Sequence, residues 1–152
     1  MANADIVLLG PGELPLITEM FNAVFRPGRD ISYFERRLKG RANPLILLAQ
    51  VEKRPAGFAL GYEIKQSTFY AWLIGVLPAY RKAGIASQLM EAMTAWTREN
   101  GYHVLRFECY NRARPMLKIA ASQNFDIVGV RYDTDEAANL VIFEQTVSEQ
   151  EA

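Results

Sequence analysis

Hydrophobic positions along the chain switch between two periods, and the switches divide it into eleven segments. Residues 5–9 form a short apolar run that predicts a strand. Leu14, Ile17, Phe21, Val24 and Phe25 recur at helical spacing, with Pro15 acceptable in a first turn, and Arg26-Pro27-Gly28 breaks the pattern. Ser32-Tyr33-Phe34-Glu35 reads as a capping box, in which a hydroxyl and a carboxylate satisfy orphan amides; the helix it opens ends near Gly40. Residues 45–51 and 57–64 read as strands joined by a turn over 53–56. A tight connection at 65–68 leads into an aromatic, apolar strand at 69–76, so three consecutive strands predict an antiparallel meander.

Pro78 ends the third of these strands because it has no N–H to donate. Beyond it, Ile85, Leu89, Ala92, Met93 and Trp96 share one face of a long helix from about 84 to 100, which Gly101 is suited to close. Residues 104–109 form another strand. With a helix before it, this strand is expected to lie parallel to 69–76 through a right-handed crossover. A helix from Arg112 or Pro115 to Gln123 follows, with Asn124 as a left-handed stop. Residues 125–132 and 138–147 complete the sheet as a hairpin across the acidic turn Asp133-Thr134-Asp135-Glu136. The order is β-α-α-β-β-β-α-β-α-β-β, an α/β (α+β) arrangement in a single domain over residues 1–148, with 149–152 as a polar, frayed tail.

Charge narrows the function. Lys plus Arg equals Asp plus Glu, at 17 each, so no bulk positive field points to nucleic acid. Any cationic site is local. Cys109 is the one cysteine, which excludes an intrachain disulfide, and no Cys/His cluster has metal-ligand spacing, so no metal is expected. His103, the one histidine, falls at a strand entrance after Gly101 without a ligand partner. The apolar run at 6–9 is too short for a signal or a membrane span, so no membrane partner and a cytoplasmic location are expected.

The local cationic site is the junction Gly75-Val76-Leu77-Pro78-Ala79-Tyr80-Arg81-Lys82-Ala83-Gly84-Ile85-Ala86, where a strand runs into a helix start. Unpaired N–H groups of a first helical turn favour phosphate, and Gly84 lets a ligand approach the backbone closely. Arg81 and Lys82 add charge at the positive end of the helix dipole, where only an anionic ligand compensates them.

These residues resemble the central motif of the GNAT superfamily of N-acetyltransferases: Arg or Gln, two residues, Gly, one residue, then Gly or Ala. Here it is Arg81-Lys82-Ala83-Gly84-Ile85-Ala86. The likeness extends to the strand end Gly75-Val76-Leu77-Pro78 and to a β–α crossover ending at Asn111. It also takes in Asn124-Phe125-Asp126-Ile127-Val128-Gly129, which is similar to the family's closing Gly-Phe-x-x-x-Gly, so it covers nearly the whole chain. The resemblance implies the GNAT acyl-CoA N-acyltransferase fold: a mixed, mostly antiparallel seven-stranded sheet, about four helices and a splayed parallel strand pair. It implies acetyl-CoA as co-substrate and an amine as acceptor. The pantetheine arm would pair with backbone at Ile74, Gly75 and Val76 and contact Asn111. The pyrophosphate would rest on the N–H groups of Lys82, Ala83, Gly84, Ile85, Ala86 and Ser87, beside Arg81. A homodimer is among the assemblies the family uses.

Acetyl transfer to an amine needs a proton acceptor, donors for the developing oxyanion and a leaving thiolate. A backbone N–H near 74–76 serves the second need most simply. The tyrosine that many relatives place four residues before the closing Gly-Phe is Ala120 here. The thiolate, whose thiol has an ordinary pKa of about 8.5, therefore leaves unaided or with Tyr110 as substitute acid. Tyr70 occupies the position of the glutamate used by the histone-modifying branch, and a phenol with a pKa near 10 is a poor base. Glu63 and Glu108 are the remaining nearby carboxylates, working through water or serving only as solvated strand residues. Cys109 reads as a buried inert thiol, and Phe69, Tyr70 and Trp72 as sheet packing in preference to a substrate cage. The acidic turn reads as a plain hairpin turn, Asn111 also suits an N-cap, and Arg112 and Arg114 either meet a cofactor phosphate or are simply exposed. The expected function is transfer of acetyl from acetyl-CoA to a primary amine of a small molecule or peptide by direct attack. The alternative is a non-catalytic acyl-CoA-binding module of the same fold.

Overall fold

Residues 2–148 are described by a computed structural model, and their elements follow the order that the hydrophobic pattern predicts; the tail expected at 149–152 lies outside the described residues. They are β1 (Asp5–Leu9), α1 (Leu14–Val24), α2 (Ile31–Leu38), β2 (Leu45–Val51), β3 (Arg54–Lys65), β4 (Thr68–Val76), α3 (Ile85–Glu99), β5 (Val104–Tyr110), α4 (Arg114–Ser122), β6 (Asp126–Asp133) and β7 (Ala138–Thr146). The strands form one seven-stranded sheet in the order β1-β2-β3-β4-β5-β7-β6. Only β4 and β5 run parallel, as the intervening helix requires; every other pair is antiparallel.

Both faces of the sheet are covered, and the two cores alternate along the central strands. Leu45, Leu47 and Ala49 of β2 face α3 and α4, joining Leu89, Met93, Leu105, Phe107 and Ile119. Ile46 and Leu48 face α1 and α2, joining Ile17, Phe21, Phe34, Phe58 and Leu60. A strand buried on both sides reads as an unbroken apolar run, which is what residues 45–49 present. Among the described residues, no helix is long and apolar enough to cross a membrane.

Three local expectations change. The capping box does not form: α2 begins at Ile31 with Asp30 at the N-cap, and the Ser32 hydroxyl donates to the Asp30 carboxylate. Aspartate serves that position as well as serine does, so the helix begins two residues earlier than the box would start it. The turn before β3 is tighter than 53–56, because Glu52 and Lys53 both take left-handed backbone (φ 50° and 66°) and let Arg54 pair directly with Val51. Asn111 is not an N-cap; Ala113 holds that place before α4. The stops hold as read, with Gly101 at φ 83° and Asn124 at φ 65°.

One glycine sets the height of α3 above the sheet. A β-carbon at Gly57 of β3 would lie 2.8 Å from the Gly75 carbonyl oxygen and 3.0 Å from Ile85 Cγ2. The start of α3 therefore rests directly on the β3–β4 backbone. Gly57→Val is expected to overpack this contact and lower stability by about 1–3 kcal/mol, read as a lower denaturant midpoint at unchanged slope. An unchanged midpoint would show that α3 does not rest on this backbone.

Candidate active site

The parallel pairing of β4 with β5 stops halfway. It runs from Thr68 opposite Val104 to Ala71 opposite Phe107 and no further. Beyond that point β4 is held only by β3 and β5 only by β7. The break coincides with a bulge: Leu60 of β3 faces Leu73 and Gly61 faces Ala71, which leaves Trp72 as an extra residue on β4. A bulge bends its strand and raises the local twist, turning β4 away from β5. A cavity of about 290 Å³ fills the gap, walled by 71–74 of β4, 107–110 of β5 and Met90 and Met116 from the helices. Its two walls are strand edges whose N–H and C=O groups face no other strand, and such groups call for a polar partner.

At the far end of β4 the chain turns at Pro78–Tyr80 and enters α3 through two left-handed residues, Lys82 (φ 63°) and Gly84 (φ 81°), the latter as N-cap. Among the described residues, no acceptor meets the amides of Lys82, Ala83, Gly84, Ile85, Ala86 or Ser87. The neighbouring carbonyls, in contrast, are occupied. Gln88 Nε2 donates to the Gly84 carbonyl (3.1 Å) and to that of Ala2 (2.8 Å), while its Oε1 accepts from the Ala4 amide (3.0 Å). The Ala83 carbonyl accepts from the Ala2 amide (3.2 Å), and Nε2 of Gln123, the C-cap of α4, donates to the Ser87 carbonyl (3.0 Å) and hydroxyl (2.9 Å). Pinned carbonyls leave the amides turned outward at the positive end of the helix. Arg81 and Lys82 are exposed and make no ion pair among the described residues. Six free amides and two unpaired cations fit a diphosphate, and the open strand edges fit an amide-bearing chain leading from it.

The expected catalytic residues separate. Glu108 lines the gap and also a second cavity, of about 390 Å³, bounded by Arg37, Arg41, Tyr62, Ile64, Tyr70 and Arg106. It therefore stands where the two spaces meet. Its Oε2 accepts from Arg106 Nη2 (3.0 Å), and Arg106 Nη1 also reaches Glu144 (3.4 Å). Tyr70 lies beside it; burial, with the Glu108 charge second, pushes its phenol well above the ordinary value, so it stays protonated. Tyr110 walls the gap, but its hydroxyl donates to Asp133 (2.7 Å), and that bond raises its pKa. Glu63 stands apart. It accepts from the Tyr102 hydroxyl (2.8 Å) at the paired end of β4 and β5 and lines neither cavity.

The remaining residues take different places around these cavities. Ile74 walls the gap, and Gly75 and Val76 continue the same strand. The Asn111 backbone is tied to Asn139 (2.9 Å) while its side chain is exposed, and Ala120 is fully buried in the α3–α4 core. The acidic turn is satisfied internally. Asp133 accepts from the amides of Asp135 and Glu136 as well as from Tyr110, and Glu136 pairs with Arg112. Phe69 is core, but Tyr70 and Trp72 are half-buried and wall the two cavities. Arg37, Arg41, Gln88 and Gln123 gave no signal as site residues in the sequence, apart from the one-turn spacing of the two arginines. Among the described residues, no group of His, Cys, Asp and Glu could hold a metal.

Comparison with known proteins gives the family and the fold. The model of the acetyltransferase (GNAT) family matches residues 14–125. No curated protein matches the chain. Among solved structures, the chain is similar to the ribosomal-protein-S18-alanine N-acetyltransferase from Escherichia coli, with a TM-score of 0.84 at 18% identity over 98% of this chain and 97% of that one. A GNAT family acetyltransferase from Elizabethkingia anophelis with acetyl-CoA bound superposes with a TM-score of 0.80 at 15% identity, covering 96% and 99%. An N-acetyltransferase from Staphylococcus aureus Mu50 gives 0.77 at 22%, covering 96% and 99%. At these identities the structural likeness establishes the fold.

Cys109 reports on the gap. Burial pushes its thiol up to about 11, and only the thiolate alkylates. Iodoacetamide at about pH 7.5 is expected to label the native protein more than tenfold slower than the unfolded chain, with the native rate still rising toward pH 11. Equal rates in the two states would place Cys109 in an open, unperturbed setting.

Proposed function

The chain belongs to the GNAT acetyltransferase family, and on that premise we propose that it transfers acetyl from acetyl-CoA to a primary amine by direct attack. The observation that carries this reading is the continuity of two features on one strand. The gap opens at Trp72 and the free amides begin six residues past Val76, so one extended ligand spans both. Residues 82–87 would hold its diphosphate, with Arg81 and Lys82 neutralising charge, and β4 beyond Trp72 would pair with the pantetheine arm. Acetyl-CoA supplies an activated acetyl thioester. Everything else falls to the chain's own groups.

Glu108 is the proposed base, since it is the one carboxylate lining both cavities. Its carboxylate takes the proton of the acceptor ammonium, directly or through water, while Arg106 fixes its direction. Tyr70 stays protonated and serves as a donor, not a base. A β4 amide facing the gap stabilises the developing oxyanion, as fixed backbone dipoles do at little reorganisation cost. With Ala120 in the core and Tyr110 bonded to Asp133, no hydroxyl among the described residues is dedicated to the leaving sulfur. The thiolate departs unaided, and its modest basicity permits that.

Two measurements test the reading. Acetyl-CoA at a hundred times its Kd is expected to add about 2.7 kcal/mol of stability, seen as a raised Tm, and an unmoved Tm at millimolar cofactor would overturn the proposal. Glu108→Gln is expected to lower kcat for CoA release on an amine by about 10²–10⁴ while keeping that Tm shift, whereas Glu63→Gln leaves kcat unchanged. Parent-like turnover in Glu108→Gln would remove it as the base. Absent turnover with any amine, alongside a normal Tm shift, would favour the non-catalytic acyl-CoA-binding module.

A further inference from the structure

The second cavity carries charge that the acetyl-transfer reaction does not use. Arg37 and Arg41 project from α2 and the segment after it onto the sheet, and neither meets a carboxylate among the described residues. They are not loose surface cations. Arg37 donates to the Tyr62 hydroxyl (2.9 Å) and lies 4.7 Å from the centre of the Trp72 ring. Arg41 stacks on the face of Tyr62 at 4.6 Å. The aromatic platform is itself fixed: Tyr62 is 2% exposed and packs edge-on against Tyr70 at 5.6 Å, and Trp72 packs on Tyr33 and Phe34. Guanidinium planes held this way lose less freedom on binding and keep their forked donors for a planar or tetrahedral oxyanion. Across the same cavity the balance reverses. Arg106 is shared by Glu108, which lines the cavity, and by Glu144 on the next strand, so on that side the cation is already matched and Glu108 is the carboxylate presented. Strand pairing sets the order, with Tyr62, Tyr70, Arg106 and Glu144 opposite one another across β3, β4, β5 and β7.

We infer that this cleft is the acceptor subsite and that the acceptor is a small zwitterionic amine, whose anionic oxygen group (carboxylate or phosphate) is gripped by Arg37 and Arg41. Its ammonium then points to Glu108, at the junction with the gap. The inference rests on the acetyltransfer reading above and adds to it the class of acceptor. About 390 Å³ accommodates a metabolite-sized ligand. Purely cationic acceptors such as polyamines and aminoglycosides meet two unpaired guanidiniums and are excluded. A matched anionic group gains charge-assisted, forked hydrogen bonds that its neutral counterpart lacks.

The test is CoA release from acetyl-CoA with amines paired so that only the anion differs: L-methionine against L-methioninamide, γ-aminobutyrate against n-butylamine, and 2-aminoethyl phosphate against ethanolamine, with putrescine and spermidine as cations. At least one anionic member is expected to exceed its neutral partner more than tenfold in kcat/KM, and which pair shows it identifies carboxylate or phosphate as the anion. In the Arg37→Gln, Arg41→Gln double variant that ratio is expected to fall to near one, chiefly through KM, with the acetyl-CoA Tm shift intact. Better turnover of neutral or cationic amines, turnover of none of the anionic ones, or an unchanged ratio in the variant would each overturn the inference. The Tm shift separates the two levels: its presence with any of those results leaves acetyl-CoA binding standing, and its absence removes the underlying reading as well.

Discussion

Trp72 has no partner on β3, and the pairing of β4 with β5 ends one residue before it. A parallel pair of this length would ordinarily close along its whole edge, because each buried N–H or C=O left without a partner costs about 1–3 kcal/mol. The inserted residue prevents that. It bends β4 at the point where β5 continues straight onto β7, and the strands diverge around a cavity instead of meeting. Both proposed sites follow from this one offset. The gap is its direct product. The bulge also leaves both Trp72 and Leu73 packed on the α1–α2 side, so the indole supports Arg37 and walls the gap together.

The other end of the proposed ligand depends on which backbone groups are already used. A helix start always presents free amides, but here the carbonyls beside them are tied back by Gln88, Gln123 and the Ala2 amide, with Gln88 itself held by the Ala4 amide. The loop is thus fixed in its left-handed form at Lys82 and Gly84 before any ligand arrives. A lysine in that conformation is uncommon, and residues so held cluster at binding sites. Arg81 and Lys82 repel one another and the helix dipole in the free protein. An anion would relieve all of these at once, which is how a local electrostatic conflict in the sequence leads to the proposed binding site.

Most of the fold was legible because its signals are periodic. The double burial of β2, the face of α3 and the glycine and asparagine stops each follow from local residue chemistry. The motif around Gly84 was legible for a related reason, since glycine and paired cations at a helix start have few other uses. Boundaries resisted where two residues compete for one role, as Asp30 and Ser32 do at the start of α2, or where non-glycine residues take left-handed turns, as Glu52 and Lys53 do. The proposed acceptor side was hidden for a deeper reason. Arg37 and Arg41 acquire meaning only when α2 lies over Tyr62 and Trp72, a juxtaposition of segments far apart in the chain. Glu63 and Glu108 looked equivalent as strand glutamates, and only the topology sends one to the closed end of the strand pair and the other to the open end.

Amide hydrogen exchange followed residue by residue, with and without acetyl-CoA, tests the central claim most directly. The amides of residues 82–87, and those of 72–76 that face away from β3, are expected to exchange rapidly in the free protein and to become protected together when acetyl-CoA is added. Protection of these amides before any ligand is added, or protection appearing on a different part of the sheet, would contradict it.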